Sequence, residues 1–308
     1  MTAPTRTIVM TGATRGIGLE AAQDLLRRSP DAHLVVLARA ASAAQVLPRL
    51  LAVSPHVTAV DVDLASTAGT LDAAAQVEDL LDAGRLPPMR GLVLNAGVHL
   101  DSAAHATADG YEKTFAVNVL ANHLLLRRLH PHLRTTPARV VVTVSDAHFG
   151  DLRHTGGIFP PIRWSTPERL SEPGAHPRPT TGRAGRAAYA TSKLAAVYLV
   201  HEWARRLPEG VDVVAYNPSL VIGTGLARDA GGASGWLMEH VVPALALTPL
   251  ADTPPVAGRR LADTVLGTTR AATGSYVHRS RVAPSSDESY DVDREAALWT
   301  WLEQAAGA

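Results

Sequence analysis

Short runs of consecutive apolar residues recur along the chain, at positions 7–11, 33–38, 57–60, 91–95, 139–145, 212–216 and 275–277. Longer Ala/Leu-rich stretches separate them, at 16–28, 42–52, 65–83, 108–130 and 187–206, with a last one at 292–306. The short runs read "LVVL", "GLVLN" and "VVVTV", continuous instead of alternating, as strands do when both faces are buried. Strands that alternate with helices predict an α/β fold: one doubly wound parallel sheet of about seven strands, flanked by helices and forming a single domain over 1–308. In the last helix, Leu298, Trp299, Trp301 and Leu302 read as a face docked on the core. The segment 150–185, rich in proline and glycine, breaks the rhythm. It reads as an irregular insertion, either a lid over substrate or a cover on helix faces. A second irregular stretch runs from 218 to about 235 within a substrate-side segment, 218–250, and 249–255 is irregular as well.

Composition narrows the class. Apolar residues make up 46% and charged ones 19%, which fits a soluble protein with a large core. Lys+Arg and Asp+Glu both number 29, so there is no electrostatic case for nucleic acid or an anionic membrane surface. The chain has no cysteine, which excludes disulfides, thiolate metal sites and cysteine nucleophiles and suits a reducing compartment. The first apolar run is too short for a signal segment or a span, and no later one reaches about 18 residues. A cytoplasmic protein is the expectation. The histidines match no metal-ligand spacing, so no metal site is expected; His148, close after Ser145, reads as facing substrate.

"IVMTGATRGIG" puts Gly12, Gly16 and Gly18, with Thr14, Arg15 and Ile17 between them, where the first strand meets the first helix. Glycine lets a backbone turn sharply and approach a phosphate, and the helix start offers free N–H groups to it. The second strand ends in Ala38-Arg39, without the acid that usually holds an NAD ribose. Arg39 and Arg15 suit a 2′-phosphate instead, so NADP(H) is favoured over NAD(H).

In "YATSK", Tyr189 and Lys193 stand at i and i+4, one turn apart on one helix face. A free phenol is a poor acid near neutrality, with a pKa of about 10, and a neighbouring ammonium favours its anion. Ser145 ends an apolar strand at the carboxyl edge of the sheet, where a hydroxyl can polarise a carbonyl.

The motifs "TGATRGIG", "DVDLAS", "LNAG", "VNV", Ser145, "YATSK" and "NPSLVIGTG" follow one another in a familiar order. In this the chain resembles the short-chain dehydrogenase/reductase family along essentially its whole length, near its retinol dehydrogenase-like and protochlorophyllide reductase-like branches. The resemblance implies a Rossmann-type fold. It implies that Asn118, Ser145, Tyr189 and Lys193 are catalytic, with Asn118 supporting a water relay. It assigns Asp63 and Leu64 to the adenine, Asn95, Ala96 and Gly97 to the adenine ribose side, and Pro218, Val221 and Thr224 to the nicotinamide carboxamide. Tyr189 and Lys193 would also touch the cofactor. The chain departs from the family pattern at Ser219, where glycine is common, and at Val144, where a second serine is common.

These readings imply an NADP(H)-dependent enzyme that reduces a ketone or aldehyde to an alcohol, or the reverse. The substrate pocket is read as walled by Asp146, His148, Phe149, Leu220, Leu226 and the segment to Trp236, which suits a bulky, apolar small molecule. A nicotinamide enzyme without net redox change and a non-catalytic NADP(H)-responsive regulator are the alternatives. A monomer or homodimer is expected.

Overall fold

The computed structural model describes residues 3–133, 137–222 and 251–307. Its centre is one eight-stranded sheet in the order β3-β2-β1-β4-β5-β6-β7-β8. The strands are β1 (Arg6–Thr11), β2 (Ala32–Ala38), β3 (Val57–Asp61), β4 (Met89–Leu94), β5 (Ala138–Thr143), β6 (Val211–Asn217), β7 (Tyr276–His278) and β8 (Arg281–Ala283). All neighbours pair in parallel except β7 and β8. The seven expected strands are present. β8 is the addition: three exposed or half-buried residues that close the edge of β7 and are too short to show a pattern.

Both faces of the sheet are covered, which explains the unbroken apolar runs. Val140, Val142 and Val213 enter one core, whereas Val141, Val214 and Tyr216 enter the other. The second core holds α1 (Gly16–Arg28), α2 (Ala40–Leu51) and α9 (Pro254–Val265). The first holds α3 (Thr67–Asp82), α5 (Ala121–Leu129), α8 (Gly182–Ala204) and α10 (Val292–Gly307). Helix α9 begins inside a stretch read from the sequence as irregular. Its paired prolines mark a helix start, and Ala257, Leu261, Ala262 and Val265 form its buried stripe.

The helix expected over 108–130 starts later and is not uniform. It opens as α4 (Lys113–Phe115), where the buried carboxylate of Glu112 accepts the Phe115 N–H at 2.7 Å. It widens into a π turn, Ala116–Leu120, and continues as α5. Asn118 sits in that π turn, a form that often marks functional positions.

The 150–185 segment carries two short helices, α6 (Leu152–Thr155) and α7 (Pro167–Leu170), and gives its last residues to α8. Trp164 meets Tyr198 of α8 edge-on at 4.9 Å, and Leu170 is buried in the first core. Helix α10 packs beside it, with Trp301 against Phe115 at 5.5 Å and Trp299 against Trp203 at 5.1 Å. No helix among the described residues is long and apolar enough to cross a membrane.

Candidate active site

The strand tips at the carboxyl edge of the sheet build the site. Gly12 follows β1 with φ +70°, and a Cβ there would lie 2.8 Å from the Ala96 nitrogen. A Cβ on Gly18 would collide with the Gly12 carbonyl. Both positions therefore require glycine, and the turn stays shallow enough for a phosphate to approach backbone N–H groups. Arg15 precedes α1 without capping it, and the first turn holds no acid. A dinucleotide's phosphates fit this cradle.

Asn95 ties three strand tips together. Its N–H donates to Thr11 Oγ1 at 3.1 Å, its Nδ2 to the Gly12 carbonyl at 3.2 Å, and its Oδ1 accepts from Thr143 at 3.0 Å. The Ala96 N–H also donates to Thr11 Oγ1. A Cβ on Gly97 would meet Asn118 Oδ1 at 3.2 Å and Lys193 Nζ at 3.4 Å. Asp63 is exposed at the end of its turn and accepts the Ala65 N–H; Leu64 beside it packs on the core.

Arg39 is exposed directly after β2. The sequence reading missed an acid beside it. Asp61 pairs in register with Ala38 and accepts the Ala40 N–H at 2.7 Å. It comes from β3, not β2, so only the pairing register brings it there.

Tyr189 and Lys193 are both buried in α8, at 5% and 4% exposure. Lys193 Nζ lies 5.6 Å from the Tyr189 ring centre and donates to the Thr143 carbonyl at 2.9 Å. Ser145 lies close enough to the Tyr189 phenol to lower its pKa, and its hydroxyl accepts the Ala147 N–H at 3.2 Å. Burial pushes the phenol up to about 12, against a smaller downward pull from Ser145, and Asp146 adds to the rise. Burial also lowers the Lys193 ammonium to about 8. Desolvation is the largest influence on the phenol, and the Lys193 ammonium is hydrogen-bonded to the Thr143 carbonyl.

Asn118 is wholly buried, and its side chain is occupied. Oδ1 accepts the Val98 N–H, and Nδ2 donates to the Val98 carbonyl and to Ser192 Oγ. It clamps the strip after β4 to α8.

The substrate side differs from the expectation. His148 is buried; one ring nitrogen meets the Ser145 carbonyl at 2.7 Å and Nε2 accepts the Ser286 N–H at 3.1 Å. Phe149 stacks on His154 at 3.8 Å, and Asp146 turns towards Asn217 and His278. His148 and Phe149 are thus taken up by the C-terminal segment and the insertion, and Asp146 by β6 and β7. The rings at Tyr189 come from elsewhere: His99 at 4.8 Å and Phe159 of the insertion at 5.6 Å, with Ile162 packed alongside. Nothing in the sequence pattern singled out Phe159, since only the chain path of the insertion brings it there. Pro218 is buried after β6 and Val221 bridges Asp252, whereas Thr224, Leu226 and Trp236 lie outside the described residues.

A family model for short chain dehydrogenase matches residues 6–155. DnrU of Streptomyces sp. (strain C5), assigned as a daunorubicin C-13 ketoreductase, is 30% identical over 99% of this chain and 93% of its own. The chain belongs to the short-chain dehydrogenase/reductase family. Human retinol dehydrogenase 13 is 32% identical over 75% of this chain, a match that spans 63% of that protein. Among solved structures, an NADPH-bound carbonyl reductase from chicken fatty liver has a TM-score of 0.62 at 18% identity. It covers 92% of this chain and 100% of its own, a likeness of fold. The protein is thus an oxidoreductase of this family, with its mostly parallel sheet.

Proposed function

We propose that the protein is an NADP(H)-dependent reductase of a ketone or aldehyde, able to run in reverse as an alcohol dehydrogenase. The observation that carries this reading is the buried pair of Tyr189 and Lys193 with the half-buried Ser145 beside the phenol, at the carboxyl edge of the sheet. A nicotinamide cofactor bound at the glycine turn supplies or accepts the hydride. The Ser145 O–H donates to the carbonyl oxygen and stabilises its charge as it grows. The Tyr189 phenol, fully protonated near neutral pH, passes its proton to that oxygen as the alcohol forms. Lys193, mostly protonated below about 8, holds positive charge beside the phenolate that remains.

Gly12, Thr14, Gly16, Ile17 and Gly18 would hold the pyrophosphate, and Asn95, Ala96 and Gly97 would line the ribose side. Asp63 and Leu64 would take the adenine, and Pro218 and Val221 the carboxamide. Arg39 and Arg15 favour the 2′-phosphate. One observation favours NAD(H) instead: Asp61 stands beside Arg39, where a carboxylate suits a free ribose hydroxyl.

The rings of His99 and Phe159 around the phenol support a bulky, ring-containing carbonyl substrate. The names of DnrU and retinol dehydrogenase 13 point the same way for those proteins. Absorbance at the reduced-nicotinamide band, with a panel of ring ketones and with NADPH or NADH, tests the reading. Faster oxidation of NADPH with at least one ring ketone is the expected outcome; no carbonyl-dependent oxidation of either cofactor would refute it.

A further inference from the structure

Behind the catalytic serine lies a polar cluster around the buried Asn217 that the reaction does not use. Asp146 follows Ser145 directly, and its Oδ1 lies 2.5 Å from Asn217 Nδ2. Asn217, at the end of β6, is wholly buried, and its Oδ1 accepts the Ser219 N–H at 2.9 Å. Its Nδ2 also meets the Tyr276 hydroxyl at 2.6 Å. Ser219 also lowers the Asp146 carboxyl pKa.

Ser219 is the strained member. Its φ of +62° lies in the left-handed region that favours glycine. The turn it makes sends the chain from Pro218 into Leu220–Ile222. Asp252 holds the far side of that strip, accepting the Ile222 N–H at 3.0 Å and donating to the Leu220 carbonyl at 2.8 Å. Arg260 and Arg279 both pair with the Asp252 carboxylate. The strip is therefore gripped from two sides, by Asp252 and by the Asp146–Asn217 pair. A non-glycine residue keeps such a turn only where its surroundings over-determine it.

We propose that Asp146 is a positioning residue: through Asn217 it holds the left-handed turn at Ser219 and so fixes residues 218–222 against the catalytic serine turn. The consequence for cofactor affinity rests on the reading of Pro218 and Val221 as nicotinamide contacts. Asp146 is thereby the joint between the group that polarises the carbonyl and the strip beside the cofactor. The titratable groups that face it are His278 and Tyr276 from β7, Tyr189 from α8, His148 from its own turn and Arg279 beyond β7.

The test is a cycle of Asp146→Asn, Ser219→Gly and the double variant in the full chain. It is read by amide hydrogen exchange of residues 217–222 without cofactor and by NADPH fluorescence titration. Asp146→Asn should speed that exchange at least tenfold and weaken NADPH about tenfold. Glycine adopts the turn without being held, so in the Ser219→Gly background the same change should cost less than threefold in both readouts. Unchanged exchange in Asp146→Asn, or equal losses in both backgrounds, would overturn the clamp. Faster exchange with unchanged NADPH affinity would overturn its link to the cofactor. Wild-type protein that binds neither NADPH nor NADH would sink the cofactor reading, while the exchange cycle still decides the clamp.

Discussion

The chemistry turns on how Tyr189 is solvated. A phenol raised to about 12 is a proton donor at every physiological pH, which suits reduction. Oxidation needs the phenolate, so its rate should climb with pH through the alkaline range. The Ser145 hydroxyl stabilises that phenolate. Its loss in Ser145→Ala should move the alkaline limb of alcohol oxidation to higher pH and lower kcat for reduction by about 10²–10³, the usual cost of one such donor. A pH–rate profile in both directions measures both effects. A limb that stays put or moves down would contradict the assignment. At this scale the sequence was informative for Tyr189 and Lys193, because their spacing alone puts them on one helix face. It misled for His148, whose proximity to Ser145 in the chain says nothing about its ring, buried against Ser286.

Helices and strands long enough to repeat a pattern were legible: β1 through β7, α1, α8 and the docked tryptophans of α10 all lie where periodicity placed them. Elements set by tertiary pairing were not. β8 exists because β7 offers it an edge, and the π turn at Asn118 leaves no mark on hydrophobic spacing. The insertion was visible only as an interruption, yet it delivers Phe159 to the Tyr189 ring. Replacing Phe159 with alanine should lower kcat/KM for a bulky aryl ketone about tenfold, the scale of one aromatic pair. A small aliphatic ketone should change less than threefold. Equal losses on both substrates would show that the ring supports the fold and not the choice of substrate.

For the molecule as a whole, the insertion and α10 together coat α5 and α8. His123, Trp203, Trp299 and Glu303 meet in one seam, with the Arg206 guanidinium over Trp299 at 3.9 Å. That coat leaves little of those helix faces for a second copy, so light scattering should report a monomer; a stable tetramer would contradict it. Two buried histidines, His123 in this seam and His148 against Ser286, set acid stability. Burial lowers His123 to about 3 and His148 to about 4, whereas the unfolded chain takes up these protons near 6.5. Their contribution is complete above pH 6.5 and is lost as pH falls towards those values. Between pH 6.5 and 4.5 the Tm should fall, and His123→Gln should flatten the slope. The depressed carboxyls of Asp146 and Glu295 stabilise the fold in full above the ordinary carboxylate range, and that contribution is lost as pH falls through it towards their lowered values. A calorimetric slope identical in both proteins would refute the assignment to His123.

The central claim is that Tyr189 supplies the proton as hydride reaches a carbonyl. Tyr189→Phe tests it most directly, with NADPH affinity and ketone reduction measured on one preparation. Binding within about threefold of wild type and reduction slower by about 100-fold or more is the predicted result. A variant that binds NADPH and still reduces the ketone at near wild-type rate would contradict it.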